Sequence, residues 1–318
     1  MGTYSTGRSA TSATSRGGLV AVLLLVTALV AALVATNSWR FEADGTSRGG
    51  SVLDDRFRLS SDSGAPLPTF RAATFNLLGY GHTKNGARPR FEDGITRTDY
   101  AVKVLDRRGI EVAGFQEFQE QQHKRFFEIV GDSWAVYPGN QLSRAAMHNS
   151  IAWRTALWEL VEARSIPIVY AEGAWIKMPF VLLRHKESGR LVWFANFHNA
   201  YGRTAEAQRY RNQARNLQIQ LANELWESGV PLVLTGDMNE RETYFCPMTK
   251  LAPMKSAAGG SMDNAPCTPP TDMRIDQIFG SRFIQFANYT VAQGPLIRKT
   301  TDHPVVYADV SVPTRRRP

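Results

Sequence analysis

Short apolar runs and longer amphipathic stretches alternate along most of this chain. The apolar runs are bounded by glycine or polar residues, as is typical of buried strands, and they cover residues 70–76, 110–117, 148–154, 179–185, 191–198, 230–239, 273–279, 282–291 and 303–310. The amphipathic stretches carry apolar residues at helical spacing and end in glycine, and they cover residues 98–109, 119–131 and 205–229. Because clean strand–helix–strand repeats are few, the pattern predicts an α/β fold with mixed sheets packed face to face and helices outside.

The N-terminal segment has a different pattern. Residues 1–18 are rich in Ser, Thr and Gly, and residues 19–36 contain an apolar run of 17 residues. As a helix this run spans about 26 Å, at the short end of the range for a membrane span. The pattern favours a cytoplasmic tail followed by a single-pass membrane anchor, and a cleaved signal segment is the alternative. Both interpretations place the rest of the chain outside the cytoplasm, because the arginines before the run stay inside.

The remaining chain divides into a linker, one domain and a short tail. Residues 37–68 are polar with little periodicity, which is typical of a linker. Residues 69–312 show no break in composition and are interpreted as one domain, and residues 313–318 form a basic tail. The formal net charge of the chain is +8, and residues 1–36 contribute only two arginines to it. This positive excess favours anionic partners such as phosphates, nucleic acids or acidic lipid headgroups.

Polar side chains that can do chemistry stand at the ends of several predicted strands. Asn76, Glu117, His198, Asp237 and Asn239 follow apolar runs, and the pair Asp302–His303 precedes the last one. Strand ends meet at the rim of a sheet, where a rigid frame can hold a site. Each residue also has an ordinary interpretation, as a turn residue, a helix N-terminal residue or a core histidine. Taken together, the ordinary interpretations require several coincidences at strand ends.

Asp276 is the most difficult of these residues to explain as surface. It lies inside a strand-like stretch among Ile275, Ile278 and Phe279, where a buried carboxylate needs a partner. The ordinary alternative is a pair with Arg274 on the same strand face. The sequence alone leaves both interpretations open.

The residue types at these strand ends define a reaction class. Carboxylate and amide oxygens of Asn76, Glu117, Asp237 and Asp276 suit Mg²⁺ or Mn²⁺ better than zinc. An aspartate beside a histidine can orient the imidazole as a general base. The chain contains no Walker-type or Gly-x-Gly-x-x-Gly motif. A hard metal with a histidine base suits attack of water on a phosphorus centre.

The segments "TFN", "QE", "FHN", "GDMN", "RIDQIF" and "TDHP" occur in this order across about residues 70–312. They resemble the motifs of the endonuclease/exonuclease/phosphatase superfamily, which includes deoxyribonucleases, abasic-site endonucleases, neutral sphingomyelinases and inositol polyphosphate 5-phosphatases. The resemblance implies a four-layer α/β sandwich, with two mostly antiparallel mixed sheets between helices. It also implies that Glu117 is the main Mg²⁺ ligand, with Asn76 beside it, and that Asp276 helps hold the metal or catalytic network.

The resemblance further implies roles for the catalytic groups. His303 would be the general base or a phosphate-contacting imidazole, oriented by Asp302. Asp237 would orient the attacking water, and Asn239 and His198 would bind the scissile phosphate. The histidine motif here is Asn-Phe-His-Asn, whereas Thr-x-His or His-Ser versions are familiar in the family. This departure leaves the substrate open.

We therefore expect an extracytoplasmic, Mg²⁺- or Mn²⁺-dependent phosphodiesterase, with nucleic acid as the favoured substrate. A phospholipid or phosphoinositide enzyme is the alternative, in which Trp175 and Phe180 could contact a membrane interface. A binding module without activity is the alternative of another class. Cys246 and Cys267 could form one disulfide in an oxidising compartment or remain two free thiols. No protein partner is implied.

Overall fold

The structure is a computed structural model, and it describes residues 68–261 and 266–313. The strands are β1 Phe70–Asn76, β2 Val112–Gln116, β3 Trp134–Tyr137, β4 Ile151–Arg154, β5 Trp158–Val169, β6 Trp175–His185, β7 Leu191–His198, β8 Leu232–Asp237, β9 Met254–Ser256, β10 Asp276–Ser281, β11 Gln285–Ala292 and β12 Val305–Ser311. The α-helices are α1 Tyr80–Thr83, α2 Gly94–Arg107, α3 Glu120–Val130, α4 Arg144–Met147, α5 Ala205–Glu227, α6 Glu242–Leu251 and α7 Pro295–Thr300.

The strands form two mixed six-stranded sheets. The order in the first sheet is β11-β12-β1-β2-β4-β3, and in the second it is β5-β6-β7-β8-β10-β9. Only β1 with β2 and β7 with β8 pair in parallel, and every other neighbouring pair of these two sheets is antiparallel. The predicted sandwich of two mostly antiparallel mixed sheets is therefore confirmed.

Alternation along β1 shows how the layers arise. Phe70 and Ala72 pack into a core cluster between the two sheets, together with Phe194 of β7. Ala73 and Phe75 point the other way, into a second cluster that includes residues of α2, α3 and α7. On a strand, successive side chains face opposite sides, so one apolar run fills both cores. Helices α5 and α6 pack against the second sheet.

The core between the sheets becomes polar toward one rim. Gln116 Nε2 donates to Asn196 Oδ1 at 2.7 Å, and Thr235 Oγ1 lies 3.1 Å from the same oxygen. Gly114 makes room for this contact, since an added Cβ would lie 2.1 Å from Thr235 Oγ1 and 2.3 Å from Asn196 Oδ1. This buried network fixes the two sheets to each other directly below the strand ends that carry the candidate site.

Three strands, β3, β5 and β9, and four helices, α1, α4, α6 and α7, were not predicted from the pattern. Strand β5 lies at the edge of its sheet, and its exposed and half-buried positions after Trp158 mix polar with apolar residues, so it has no continuous apolar run. Helix α6 has a proline inside it, at position 247, which disfavours a helix in a local interpretation. The predicted helix at residues 98–109 begins earlier, at Gly94, because Asp93 caps the amides of Ile95 and Thr96.

Cys246 and Cys267 are joined by a disulfide in the structure. The bond ties α6 to the segment that follows β9, across a sequence separation of 21 residues. In the chain-entropy model, a loop of this length stabilises the fold by roughly 3 kcal/mol.

The predicted tail 1–18, the apolar segment 19–36 and residues 37–67 of the linker lie outside the described residues, as do residues 314–318. In the part of the chain that the structure describes, no helix is long and apolar enough to cross a membrane.

Candidate active site

Three strands of the second sheet deliver adjacent polar groups to the same rim. His198 ends β7, Asp237 ends β8 and Asp276 begins β10, and the sheet register places His198 and Asp276 on either side of Asp237. Asn76 ends β1 of the facing sheet and contacts Asp237 across the gap. The rim where the two sheets meet therefore gathers most of the predicted site residues.

His303 forms its principal contact with Asp276. His303 Nδ1 lies 3.0 Å from both carboxylate oxygens of Asp276, and His303 Nε2 lies 3.9 Å from Asp237 Oδ2. Asp276 is fully buried, so this contact supplies the partner that a carboxylate among apolar residues requires. Burial alone would lower the pKa of His303, but the hydrogen bond and the charge of Asp276 raise it. Without a metal ion, His303 is therefore an imidazolium at neutral pH.

The structure corrects the role expected of Asp302. Its carboxylate pairs with Arg88 and does not orient His303. Neighbouring side chains in this turn leave the backbone in different directions, so His303 points to buried Asp276 while Asp302 points to the more exposed Arg88. The acid–histidine pair of the site is thus Asp276–His303. Asp276, which was expected to help hold the metal or the catalytic network, pairs with His303 in this structure.

Asn76 connects two acidic groups of the site. Its Nδ2 donates to Glu117 Oε1 at 3.1 Å and to Asp237 Oδ2 at 3.2 Å. Its Oδ1 accepts from the Leu78 amide at 3.0 Å, which fixes the amide orientation. Because its amide nitrogen faces both carboxylates, the side chain of Asn76 holds Glu117 and Asp237 in position.

Glu117 is held as an ionised carboxylate. Its backbone has φ 58°, a left-handed conformation that costs a non-glycine residue about 1–3 kcal/mol. Its Oε2 accepts from the Gly79 amide at 2.9 Å and lies 3.1 Å from His82 Nε2. Burial alone would raise the pKa of Glu117, but these donors and Asn76 together hold it well below its usual range. The site contains a strained, charged carboxylate, which is typical of a functional group.

His198 and Asn239 complete the predicted set. His198 Nε2 lies 3.5 Å from Asp237 Oδ2 and 3.5 Å from the Tyr170 hydroxyl. Asn239 donates its backbone amide to Asp237 Oδ1 at 3.0 Å and its Nδ2 to the Asn199 carbonyl at 2.9 Å. Both residues therefore border Asp237, which is the central acidic group of the rim.

Arg97 supports this site from below, and sequence reasoning missed it. Its guanidinium is buried and donates to the carbonyls of Glu92, Leu77, Thr300 and Gly79 and to the Thr83 hydroxyl. These bonds use all five N–H groups of an arginine. Burial lowers the pKa of Arg97 to about 10. A charged residue on an amphipathic helix normally faces solvent, so the pattern gave no signal for this role.

His82 and Tyr170 were also missed. His82 lies in the short helix α1, away from any strand end, although it contacts Glu117. Tyr170 follows β5, which the pattern did not predict, and its ring packs against His198 with centroids 5.2 Å apart. The only available signal was the histidine in "LLGYGHT", six residues after the first predicted strand.

The residues present fit a divalent metal ion. Glu117 and Asp237 offer hard carboxylate oxygens on either side of the Asn76 amide, the donor type that Mg²⁺ and Mn²⁺ prefer. Ligand atoms of Asp237, Asp276 and His303 also lie within 4.8 Å of one another and could hold an ion. Since both oxygens of Asp276 already face His303, Glu117 is the better anchor for a metal.

The two facing sheets match the fold of solved structures of the endonuclease/exonuclease/phosphatase family. A structure of this family from Bacteroides vulgatus matches with a TM-score of 0.61 at 17% identity, covering 78% of this chain and 100% of the other. A mannosyl-6-phosphatase from Bacteroides thetaiotaomicron matches with a TM-score of 0.59 at 18% identity, covering 76% and 99%. D. rerio TDP2 complexed with a single-strand DNA product matches with a TM-score of 0.56 at 13% identity, covering 77% and 99%.

No protein-family model and no curated protein sequence matches this chain. The structural similarities confirm the predicted resemblance at the level of the fold.

Proposed function

We propose that this protein is a divalent-metal-dependent hydrolase of phosphoesters, acting on a phosphodiester. The observation that carries the proposal is the cluster at the rim of the sheets. There the Asp276–His303 pair, Asp237 and ionised Glu117 are joined through Asn76 in one connected set of contacts. Fold neighbours named as a phosphatase and as TDP2 with a DNA product support this reaction class.

Each side chain has a task in the proposed reaction. Glu117 holds the ion, which supplies charge neutralisation at a phosphate oxygen when bound. Asp276 fixes the imidazole of His303 through Nδ1, so that Nε2 faces the rim near Asp237. As an imidazolium, His303 donates to a phosphate oxygen. His198 Nε2 points to the same place and binds the phosphate from the other side of Asp237.

Asp237 is the proton acceptor in this proposal. Its Oδ2 is approached by Asn76 Nδ2, His198 Nε2 and His303 Nε2, at 3.2, 3.5 and 3.9 Å. A water molecule next to this oxygen gives up a proton to Asp237 as the new oxygen–phosphorus bond forms. The ester bond breaks in the same step, and the leaving oxygen takes a proton from solvent. Asn239 holds the other oxygen, Oδ1, through its backbone amide and so keeps Asp237 in place.

Nucleic acid is the proposed substrate. Tyr201 is 56% exposed, and its ring contacts Tyr170, which packs on His198. Aromatic rings beside a phosphate-binding group suit the stacking of a base in a single strand. The positive charge of the chain supports the same choice.

A lipid substrate is the second candidate, and one observation favours it. Trp175 is 53% exposed at the start of β6, where it could contact a membrane interface. Phe180 is fully buried and belongs to the core, so the aromatic pair considered from the sequence is reduced to one residue.

An extracytoplasmic location is part of the proposal. It rests on the apolar segment in the sequence, and the Cys246–Cys267 disulfide supports it, because disulfides persist in oxidising compartments. Oxidised full-length protein that shows two reactive thiols after denaturation without reductant would contradict the disulfide.

A substrate panel tests the proposal. Purified full-length chain is incubated with plasmid DNA, single-stranded DNA, RNA, sphingomyelin or a phosphoinositide, each with Mg²⁺, Mn²⁺ or EDTA. We expect metal-dependent cleavage of nucleic acid and none in EDTA. Cleavage of the lipids alone would favour the second candidate, a lipid substrate. No cleavage of any phosphoester would refute the proposal that this protein is a phosphoester hydrolase.

A further inference from the structure

His82 lies directly over the proposed metal ligand. Its Nε2 is 3.1 Å from Glu117 Oε2, and its side chain is 48% exposed. The half-exposed imidazole therefore contacts one carboxylate oxygen of Glu117, while Asn76 Nδ2 donates to the other, Oε1. The proposed reaction assigns no task to this histidine.

The segment that carries His82 is fixed unusually well for a surface turn. The amide of Tyr80 donates to Gln122 Oε1 at 2.9 Å, and the amide of Gly81 donates to Gln119 Oε1 at 2.7 Å. Beneath the turn, buried Arg97 donates to the carbonyl of Gly79 and to the hydroxyl of Thr83. Groups from two other helices thus hold both ends of the turn. This framework fixes the backbone that presents the imidazole to Glu117.

We propose that His82 and Glu117 together ligate the divalent ion. Two ligands at right angles, each about 2.1 Å from an ion in octahedral coordination, lie about 3.0 Å apart. The observed distance of 3.1 Å between His82 Nε2 and Glu117 Oε2 matches that separation. Both ligand atoms therefore already have the spacing that an ion requires, and the hydrogen bond between them takes its place when no ion is bound.

An imidazole ligand changes which metal the site prefers. Mg²⁺ favours oxygen ligands and water, whereas imidazole nitrogen is a good ligand for transition metals. Of the two ions expected from the sequence, His82 therefore selects Mn²⁺. This inference rests on the proposed function only in that Glu117 holds a metal.

The test is the nitrogen coupling of bound Mn²⁺ in the purified full-length chain. Pulsed electron paramagnetic resonance detects a ligating imidazole nitrogen directly, independently of turnover. We expect the coupling in the wild type and its loss in His82→Gln, which can still donate a hydrogen bond to Glu117 but is a poor ligand. His123→Asn is the matched control, because that half-buried histidine lies on α3 and packs against Phe118 and Phe127, and it should keep the coupling.

Calorimetry supplies a second readout. Mn²⁺ affinity should fall at least about tenfold in His82→Gln, since even residues that only support a metal ligand cost about 10- to 100-fold, while Mg²⁺ affinity should change far less. Nitrogen coupling that persists in His82→Gln, or equal Mn²⁺ affinity in the two proteins, would overturn the inference and leave the proposed function intact. A wild-type chain that binds neither ion would overturn both.

Discussion

Replacing Arg97 with lysine should weaken the fold and loosen the site at the same time. The guanidinium makes five hydrogen bonds with its five N–H groups, to Glu92, Leu77, Thr300, Gly79 and Thr83. An ammonium group has three donors, so at least two of these acceptors lose their partner. The acceptors lie in segments that surround Glu117 and lead into the turn before His303.

The magnitude follows from the bonds that are lost. A hydrogen bond that involves a charged group contributes about 1.5–3 kcal/mol, so two lost bonds cost about 3–6 kcal/mol. That is a large share of the roughly 5–15 kcal/mol by which domains are stable. For a domain of this size the melting temperature should fall by roughly 2–4 °C for each kcal/mol.

The assay is urea unfolding of the wild type and Arg97→Lys, with Arg125→Lys as the control. Arg125 also uses more than one guanidinium nitrogen, on Asp99, but it lies at the surface. Exposed pairs of this kind contribute little to stability, so the control should stay close to the wild type. An Arg97→Lys variant within about 1 kcal/mol of the wild type would refute the supporting role of Arg97.

Four further variants test contacts of the site and of the core between the sheets. Asp276→Asn should lower kcat by at least about 100-fold, because it frees His303, whereas Asp302→Asn should lower it by less than about fivefold. Gly114→Ala should destabilise the fold by about 1–3 kcal/mol or more, because its Cβ would lie 2.1 Å from a facing side-chain oxygen. In EDTA, acidification from about pH 7 to about pH 3 should destabilise the wild type more than Glu117→Gln, as chemical unfolding can measure.

The sign of the acid effect follows from the direction of the pKa shift. The pKa of Glu117 is lower in the folded chain than in the unfolded one, so the stabilisation exists above the unfolded pKa and is lost as the pH falls toward the folded pKa. Equal pH dependence in both proteins would contradict the ionised state of Glu117.

For Gly114 the control is Gly294→Ala, whose added Cβ meets no atom within 4 Å and should cost less than about 1 kcal/mol. If Asp302→Asn lowered kcat as much as Asp276→Asn, the result would support the role first expected of Asp302, which is to orient His303.

The rim position of the site could be predicted because strand ends are visible in a sequence. Asn76, His198 and Asp237 each follow an apolar run, and the rim of a sheet brings such ends together. Even the buried carboxylate at position 276 was recognisable, because an acid among apolar residues needs a partner. These positions could be predicted from the local pattern together with the way strand ends meet at the rim of a sheet.

The partners within the site could not be predicted in the same way. Asp302 is next to His303 in the chain, but Asp276 is next to it in space, and only the register of β8 with β10 places Asp276 at that rim. The orientation of the Asn76 amide depends on a backbone amide two residues away. The position of His82 depends on a short turn that long-range contacts hold in place, and the local sequence pattern does not predict those contacts.

Initial rates of phosphodiester hydrolysis by the purified full-length chain decide the central proposal. The rates are measured with Mn²⁺, with Mg²⁺ and with EDTA, for the wild type, Glu117→Ala and His303→Ala, after circular dichroism has shown that each variant is folded. We expect turnover by the wild type only when a metal is present, and a loss of at least about 100-fold in both variants. Undiminished rates in EDTA, or a wild-type rate in His303→Ala, would contradict a metal-dependent hydrolase built on this rim.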